Sequence, residues 1–155
     1  MAVVWRAGSE ESAAVAALLV EFRDWHGRAE PPAESFATGV ARLISDPGTE
    51  YLLAAPAAGD DALGVCQLRF RWGVWYAAED CELEDLYVRA EARRGGLGDA
   101  LVAAALARAG ERGCARVQLD ANEANPAALA LYERHGFGAW SDAFGGRDLL
   151  MRRLL

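Results

Sequence analysis

The chain contains no lysine, so all 16 of its basic side chains are arginines. That absence removes the Walker-type phosphate loop, in which a lysine follows the second conserved glycine. Histidine and cysteine are also sparse, with 2 and 3 residues. His26 and His135 stand far apart, and Cys66, Cys81 and Cys114 lack the close spacing of metal-ligand sets, so no metal site is expected. An odd cysteine count reads as reduced, mostly buried small apolar side chains in a cytoplasmic protein. No uncharged apolar run approaches the ~18 residues of a membrane span, which speaks against a membrane partner. The start, Met1-Ala2-Val3-Val4-Trp5-Arg6, has no basic region ahead of an apolar one, so no secretion signal is expected. Acidic residues outnumber basic ones, 23 to 16, for a net charge of −7. The surface therefore lacks the basic footprint that nucleic-acid binding needs. The same charge attracts cationic small molecules, although it also serves solubility alone.

What is present suits one domain, residues 1–155, with one core: 155 residues, 53% of them apolar, and no repeat or low-complexity linker. Val3 to Arg6 reads as a first strand. Ser9 is placed to cap a helix with Glu10 and Glu11 in its first turn and Val15, Leu18, Leu19 and Phe22 at helical spacing. Pro31-Pro32 opens a second helix with Phe36, Val40, Leu43 and Ile44 on one face, ended by Asp46-Pro47-Gly48. Strands are expected over Tyr51 to Ala55, Leu63 to Phe70 and about Cys81 to Val88. A helix to Gly113, a strand at Arg116 to Leu119 and a helix opened by Asn125-Pro126 follow. Ala139 to Trp140 and Asp148 to Arg152 are expected to close a terminal hairpin across Ser141 to Arg147. The order β-α-α-β-β-β-α-β-α-β-β is that of a mixed α/β domain.

Between the Cys81–Val88 strand and the helix after it lies Arg93-Arg94-Gly95-Gly96-Leu97-Gly98, followed by Asp99. A glycine-rich turn into a helix aims backbone N–H groups and the positive end of a helix dipole at one point, which suits an anion. Arginines beside it supply charge and forked hydrogen bonds for a diphosphate. The dinucleotide pattern G-x-G-x-x-G does not occur there. What does occur is Arg-x-x-Gly-x-Gly, at Arg93, Gly96 and Gly98. It resembles the pyrophosphate-binding signature of the GNAT superfamily of acetyl-coenzyme A-dependent N-acetyltransferases. Arg94 stands where relatives usually carry glycine, with Gly95 one place later. A second stretch, from Asn125-Pro-Ala-Ala128 through Leu131-Tyr132 to Gly136-Phe137, is similar to the N-x-x-A-x-x-L-Y-x-x-x-G-F motif of the same superfamily. Within it, Leu83 to Val88 looks most like the diamine and spermidine/spermine acetyltransferases and their bacterial relatives.

The resemblance implies a GNAT fold with a splayed central pair of strands, parting near Leu119, and acetyl-coenzyme A as co-substrate without a metal. It implies that Leu86, Tyr87 and Val88 hold the pantetheine arm through backbone groups, with Asn125 contacting that arm or only capping its helix. Arg93, Arg94, Gly95, Gly96, Leu97, Gly98 and Asp99 would hold the pyrophosphate. Tyr132 matches the tyrosine that protonates the departing thiolate, and a phenol of pKa ~10 can do so at pH 7. Glu84 or Glu82 would be the base that frees the amine of its proton. Two residues apart, they share one face of a regular strand, and a bulge would alter which of them faces the cleft. For the acceptor, Asp24, Trp25 and Glu30, with Glu21 and His26, fall in the first interhelical region. Trp75, with Trp72 and Tyr76, is expected near the same mouth. Acids beside aromatics suit an ammonium ion. The sequence thus points to an N-acetyltransferase for a small cationic amine. A protein N-terminal or lysine acetyltransferase and an acyl-coenzyme A sensor are the alternatives. Homodimers, frequent among relatives, leave the oligomeric state open.

Overall fold

A computed structural model describes residues 1–155. Its contacts divide the chain into two compact units, Met1–Leu119 and Asp120–Leu155.

In the first unit β1 (Val3–Arg6) is followed by α1 (Ser12–Trp25), α2 (Ala33–Leu43), β2 (Thr49–Ala55), β3 (Gly64–Gly73), β4 (Ala78–Val88), α3 (Leu97–Glu111) and β5 (Arg116–Gln118). The strands form one sheet in the order β1-β2-β3-β4-β5. Pairing is antiparallel as far as β4 and parallel between β4 and β5. That last pair is joined through α3, the crossover a parallel connection requires.

Alternation along the strands separates two faces. Tyr51, Leu53, Val65 and Tyr87 pack with Val15, Leu18, Leu19 and Val40, so this face is covered by α1 and α2. On the other face a side chain added at Gly64 would meet Leu101 of α3 at 3.1 Å and Val88 at 3.4 Å. With helices on both sides, β2 is buried at every position from Thr49 to Ala55. The expected start at Tyr51 missed Thr49 and Glu50 because a buried charge at a strand's start does not read as core.

Ser9 does not cap α1. It lies in a single 3₁₀ turn, Ser9–Glu11, and the Glu11 carboxylate instead accepts from the Gly8 N–H at 3.0 Å and from the Trp5 indole at 2.8 Å.

In the second unit α4 (Pro126–Arg134) begins as expected: Asn125 Oδ1 accepts from the Ala128 N–H at 3.2 Å and proline takes the first turn. The terminal hairpin is tighter than expected. β6 (Trp140–Ser141) pairs with β7 (Gly146–Arg147), and of the expected return segment Asp148–Arg152 the first residue follows on, its N–H donating to the Ala139 carbonyl at 2.8 Å. Gly145 takes φ +69°, so the chain reverses within residues 142–145 and the return strand starts earlier.

Candidate functional site

β4 carries the centre of the site. β5 pairs with it only from Asp80 to Glu82, opposite Arg116 to Gln118, whereas β4 continues to Val88. From Leu83 onward, the side of β4 that faced β5 has no β5 partner. The separation falls one residue before Leu119, where the splay was expected.

The other edge of β4 is irregular. Gln67 pairs with Asp85 and Leu68 with Leu83, so Glu84 is an extra residue in β4. A bulge of this kind breaks the two-residue period. Asp85 and Tyr87 then share the face of Gln67 and Val65, while Glu82 shares that of Arg69. Glu84 turns to the same face: it accepts a hydrogen bond from the Gln67 amide, and its carboxylate lies 3.9 Å from Arg69 Nη1. Glu82 and Glu84 are therefore brought together, and Asp85 joins them. Asp85 was missed because strict alternation sends it to the opposite face. The adjacent acidic pair Glu84-Asp85 within an apolar strand was the signal available.

After Val88 a 3₁₀ turn, Ala90–Ala92, leads into the glycine-rich loop. Arg94 takes φ +65° and Gly96 φ +82°. Gly96 is the residue before α3, no side chain caps this helix, and its first internal bond runs from the Ala100 N–H to the Gly96 carbonyl at 2.9 Å. The amides of Leu97, Gly98 and Asp99 precede that bond and point out of the helix start, as an anion site requires.

Arg93 has a different setting from the one its motif implies. Its Nε donates to the Val88 carbonyl at 3.0 Å, and its guanidinium lies 5.2 Å from the Trp25 ring centre and 5.9 Å from that of Tyr87. Trp25, expected at the acceptor, is thus part of an aromatic rack under the loop arginine. Phe22 stacks on both Trp25 and Tyr87. Arg89 ties the same helix to the end of β4 through a forked bond to Glu21, with Nη2 to Oε1 at 2.6 Å and Nε to Oε2 at 2.9 Å. Neither link has a sequence signature, because both join residues more than 60 positions apart.

The remaining acceptor candidates disperse. Asp24 accepts from the Arg23 guanidinium at 2.6 and 2.9 Å, and Glu30 is exposed. Trp75 is 93% exposed in the turn between β3 and β4. That turn opens β4, whereas Trp25 lies by Tyr87 near its other end, about 30 Å away along an extended strand. The two do not share a mouth. The β3–β4 ladder runs without a break in pairing out to Gly73 and Ala78, and so carries the turn away from the bulge.

In the second unit Tyr132 lies in α4 with its ring 6.0 Å from Phe137, edge to face. Its carbonyl accepts from the His135 and Phe137 amides at the helix end.

Residues 15–137 match the acetyltransferase (GNAT) family. The chain belongs to this family. A crystal structure of an Arthrobacter sp. FB24 protein assigned to the acetyltransferases superposes on this GNAT chain with a TM-score of 0.87. The two are 31% identical, over 99% of this chain and 96% of that one. Mycothiol acetyltransferase of Salinispora tropica is 43% identical over 96 residues, 59% of this chain and 29% of that protein. The match spans under a third of that relative's length. An aminoglycoside acetyltransferase from an uncultured soil sample, solved with sisomicin, shares the GNAT fold at TM-score 0.80. It is 14% identical, over 99% of this chain and 95% of that one.

Proposed function

We propose that residues 1–155 form one catalytic domain that moves the acetyl group of acetyl-coenzyme A to a primary amine of a small cationic metabolite, with both substrates bound together. The observation that carries this reading is the departure of β5 from β4 after Glu82, one loop away from a helix start that no side chain caps. Membership of the GNAT family supports acetyl transfer. The carboxylates gathered at the bulge support a cationic acceptor.

In this reading the amides at the start of α3 bind the diphosphate of the donor, with Gly95 and Gly96 admitting it closely and Arg94 adding charge. Arg93 reaches it by leaving the Val88 carbonyl and the Trp25 ring. Backbone groups of Leu86, Tyr87 and Val88 hold the pantetheine arm, and Asn125 caps α4 in every case. Fixed N–H donors there stabilise charge that develops on the thioester oxygen.

An amine of pKa ~10.4 costs about 4–5 kcal/mol to present neutral at pH 7. Glu84, or Glu82 beside it, takes that proton directly or through water. The amine nitrogen then attacks the thioester carbon, a C–N bond forms and the C–S bond breaks. Tyr132 gives its proton to the leaving thiolate, and the second proton lost by the attacking nitrogen as the amide forms passes through water to restore the phenol.

A thiol-release screen of amines and peptides tests the reading. Wild type is expected to release coenzyme A with small amines. Tyr132→Phe and Glu84→Gln are each expected to lower kcat by about 100-fold, the lower range of acid–base assistance. Turnover of peptides alone, or acyl-coenzyme A binding without thiol release for any amine, overturns it.

A further inference from the structure

Tyr51, in the middle of the sheet, is 1% exposed, and its hydroxyl has no hydrogen-bond partner. Leaving a buried hydroxyl unpaired costs about 1–3 kcal/mol, and native proteins keep few such groups. Nothing in the packing of α1 and α2 around it calls for a hydroxyl, because the neighbouring core residues Val15, Leu18, Leu19 and Val40 are apolar. Phenylalanine would fill the same space.

The surroundings on the other side are different. Tyr51 pairs across the sheet with Gln67, and Gln67 with Asp85, so the three stand in one row on one face. The bulge adds Glu84, which Gln67 holds by its amide. Burial, and then the charges of Asp85 and Glu84, push the Tyr51 pKa up to about 12, so the phenol keeps its proton. Glu84, 45% exposed, stands at the solvent end of the row, and Tyr51, 1% exposed, at its buried end.

We propose that this row is a subsite for an amino alcohol, its ammonium held by Glu84 and Asp85 and its neighbouring hydroxyl bonded to Tyr51, directly or through one water. The assignment rests on the N-acetyltransferase reading and deepens it by naming the acceptor class. A hydroxyl suits this position better than a second ammonium. A neutral phenol cannot offset the desolvation of another buried charge, and Arg69, close to Glu84, repels one. A hydroxyl both donates and accepts, matching the phenol.

Ethanolamine and n-propylamine, equal in size and differing in the hydroxyl, are the probes. Wild type is expected to show kcat/KM about tenfold higher for ethanolamine, the worth of one good hydrogen bond. Tyr51→Phe is expected to erase that preference through the KM for ethanolamine, leaving n-propylamine and acetyl-coenzyme A unaffected, while raising Tm by about 3 °C. Asp85→Asn is expected to weaken both amines alike. Equal turnover of the two probes by wild type, or a Tyr51→Phe loss common to both, overturns the subsite and leaves acetyl transfer standing. Failure to release thiol with any amine overturns the parent reading and the subsite with it.

Discussion

At the scale of single residues, Arg94 and Glu50 carry separable consequences. Arg94 is exposed and takes φ +65°, a region in which a side chain costs about 1–2 kcal/mol. Glycine relieves that strain and returns part of the gain as unfolded-state entropy. Arg94→Gly is therefore expected to raise Tm by about 2 °C in a thermal melt while weakening coenzyme A binding several-fold by calorimetry. A lower Tm would show that the Arg94 side chain makes a stabilising contact in solution.

Glu50 is the more consequential residue. Its side chain is 1% exposed, yet it faces Arg108 at 2.7 and 2.8 Å, Arg112 at 3.2 Å and Arg6 at 3.6 Å. Burial alone pushes its pKa up; the Arg108 hydrogen bonds, the Arg6 and Arg108 charges and the Arg112 bond outweigh this and hold it below the usual range. A folded-state pKa below the unfolded one stabilises the fold above the unfolded value, about 4.3, and that contribution is lost as pH falls through the folded value. Glu50→Gln is expected to lose about 3 kcal/mol in urea unfolding at pH 7, with the gap to wild type narrowing below pH ~4. A gap independent of pH would mean that the charge of Glu50 is not what stabilises.

At the scale of elements, the loop between β4 and α3 is braced from α1. Arg89 is forked onto Glu21, and Arg93 lies over Trp25. If Arg93 leaves this rack to meet the diphosphate, adding coenzyme A changes the environment of Trp25. A coenzyme A titration of wild type is expected to alter tryptophan emission. The same titration of Trp25→Phe is expected to lose most of that change with affinity altered less than threefold. An identical change in Trp25→Phe would place the signal elsewhere and leave Arg93 on its rack. α3 serves two purposes, since its start faces the proposed anion, while Arg108 in its last turn and Arg112 just after it neutralise Glu50. Arg112 also forks onto Glu79 of β4 at 2.9 Å and covers the Phe70 ring at 3.9 Å. The helix is thus fixed at the end away from the loop.

At the scale of the molecule, the net charge of −7 acts oppositely on the two proposed substrates. It attracts a cationic acceptor and repels an anionic donor, and salt screens both over about 10 Å at 0.1 M. Raising ionic strength from 20 to 300 mM (roughly a fourfold drop in screening length) is expected to raise the KM of the amine several-fold. The KM of acetyl-coenzyme A is expected to stay level or fall. A donor KM that rises more steeply than the amine's would show that local arginines, not the global field, dominate.

The element order and the starts of α3 and α4 were legible in the chain because they follow from local chemistry. Apolar spacing marks the buried stripe of α3, Asn125-Pro126 fixes where α4 begins, and Gly96 before Leu97 fixes the turn into α3. The two motifs carried the family for the same reason, since their residues lie close together in sequence. Three features were decided only when distant segments met: the bulge that swings Asp85 beside Glu84, the rack that takes Arg93 onto Trp25, and the length of the β3–β4 ladder that carries Trp75 away from the bulge. Pairing register is a property of two strands together, and the sequence of either one does not contain it.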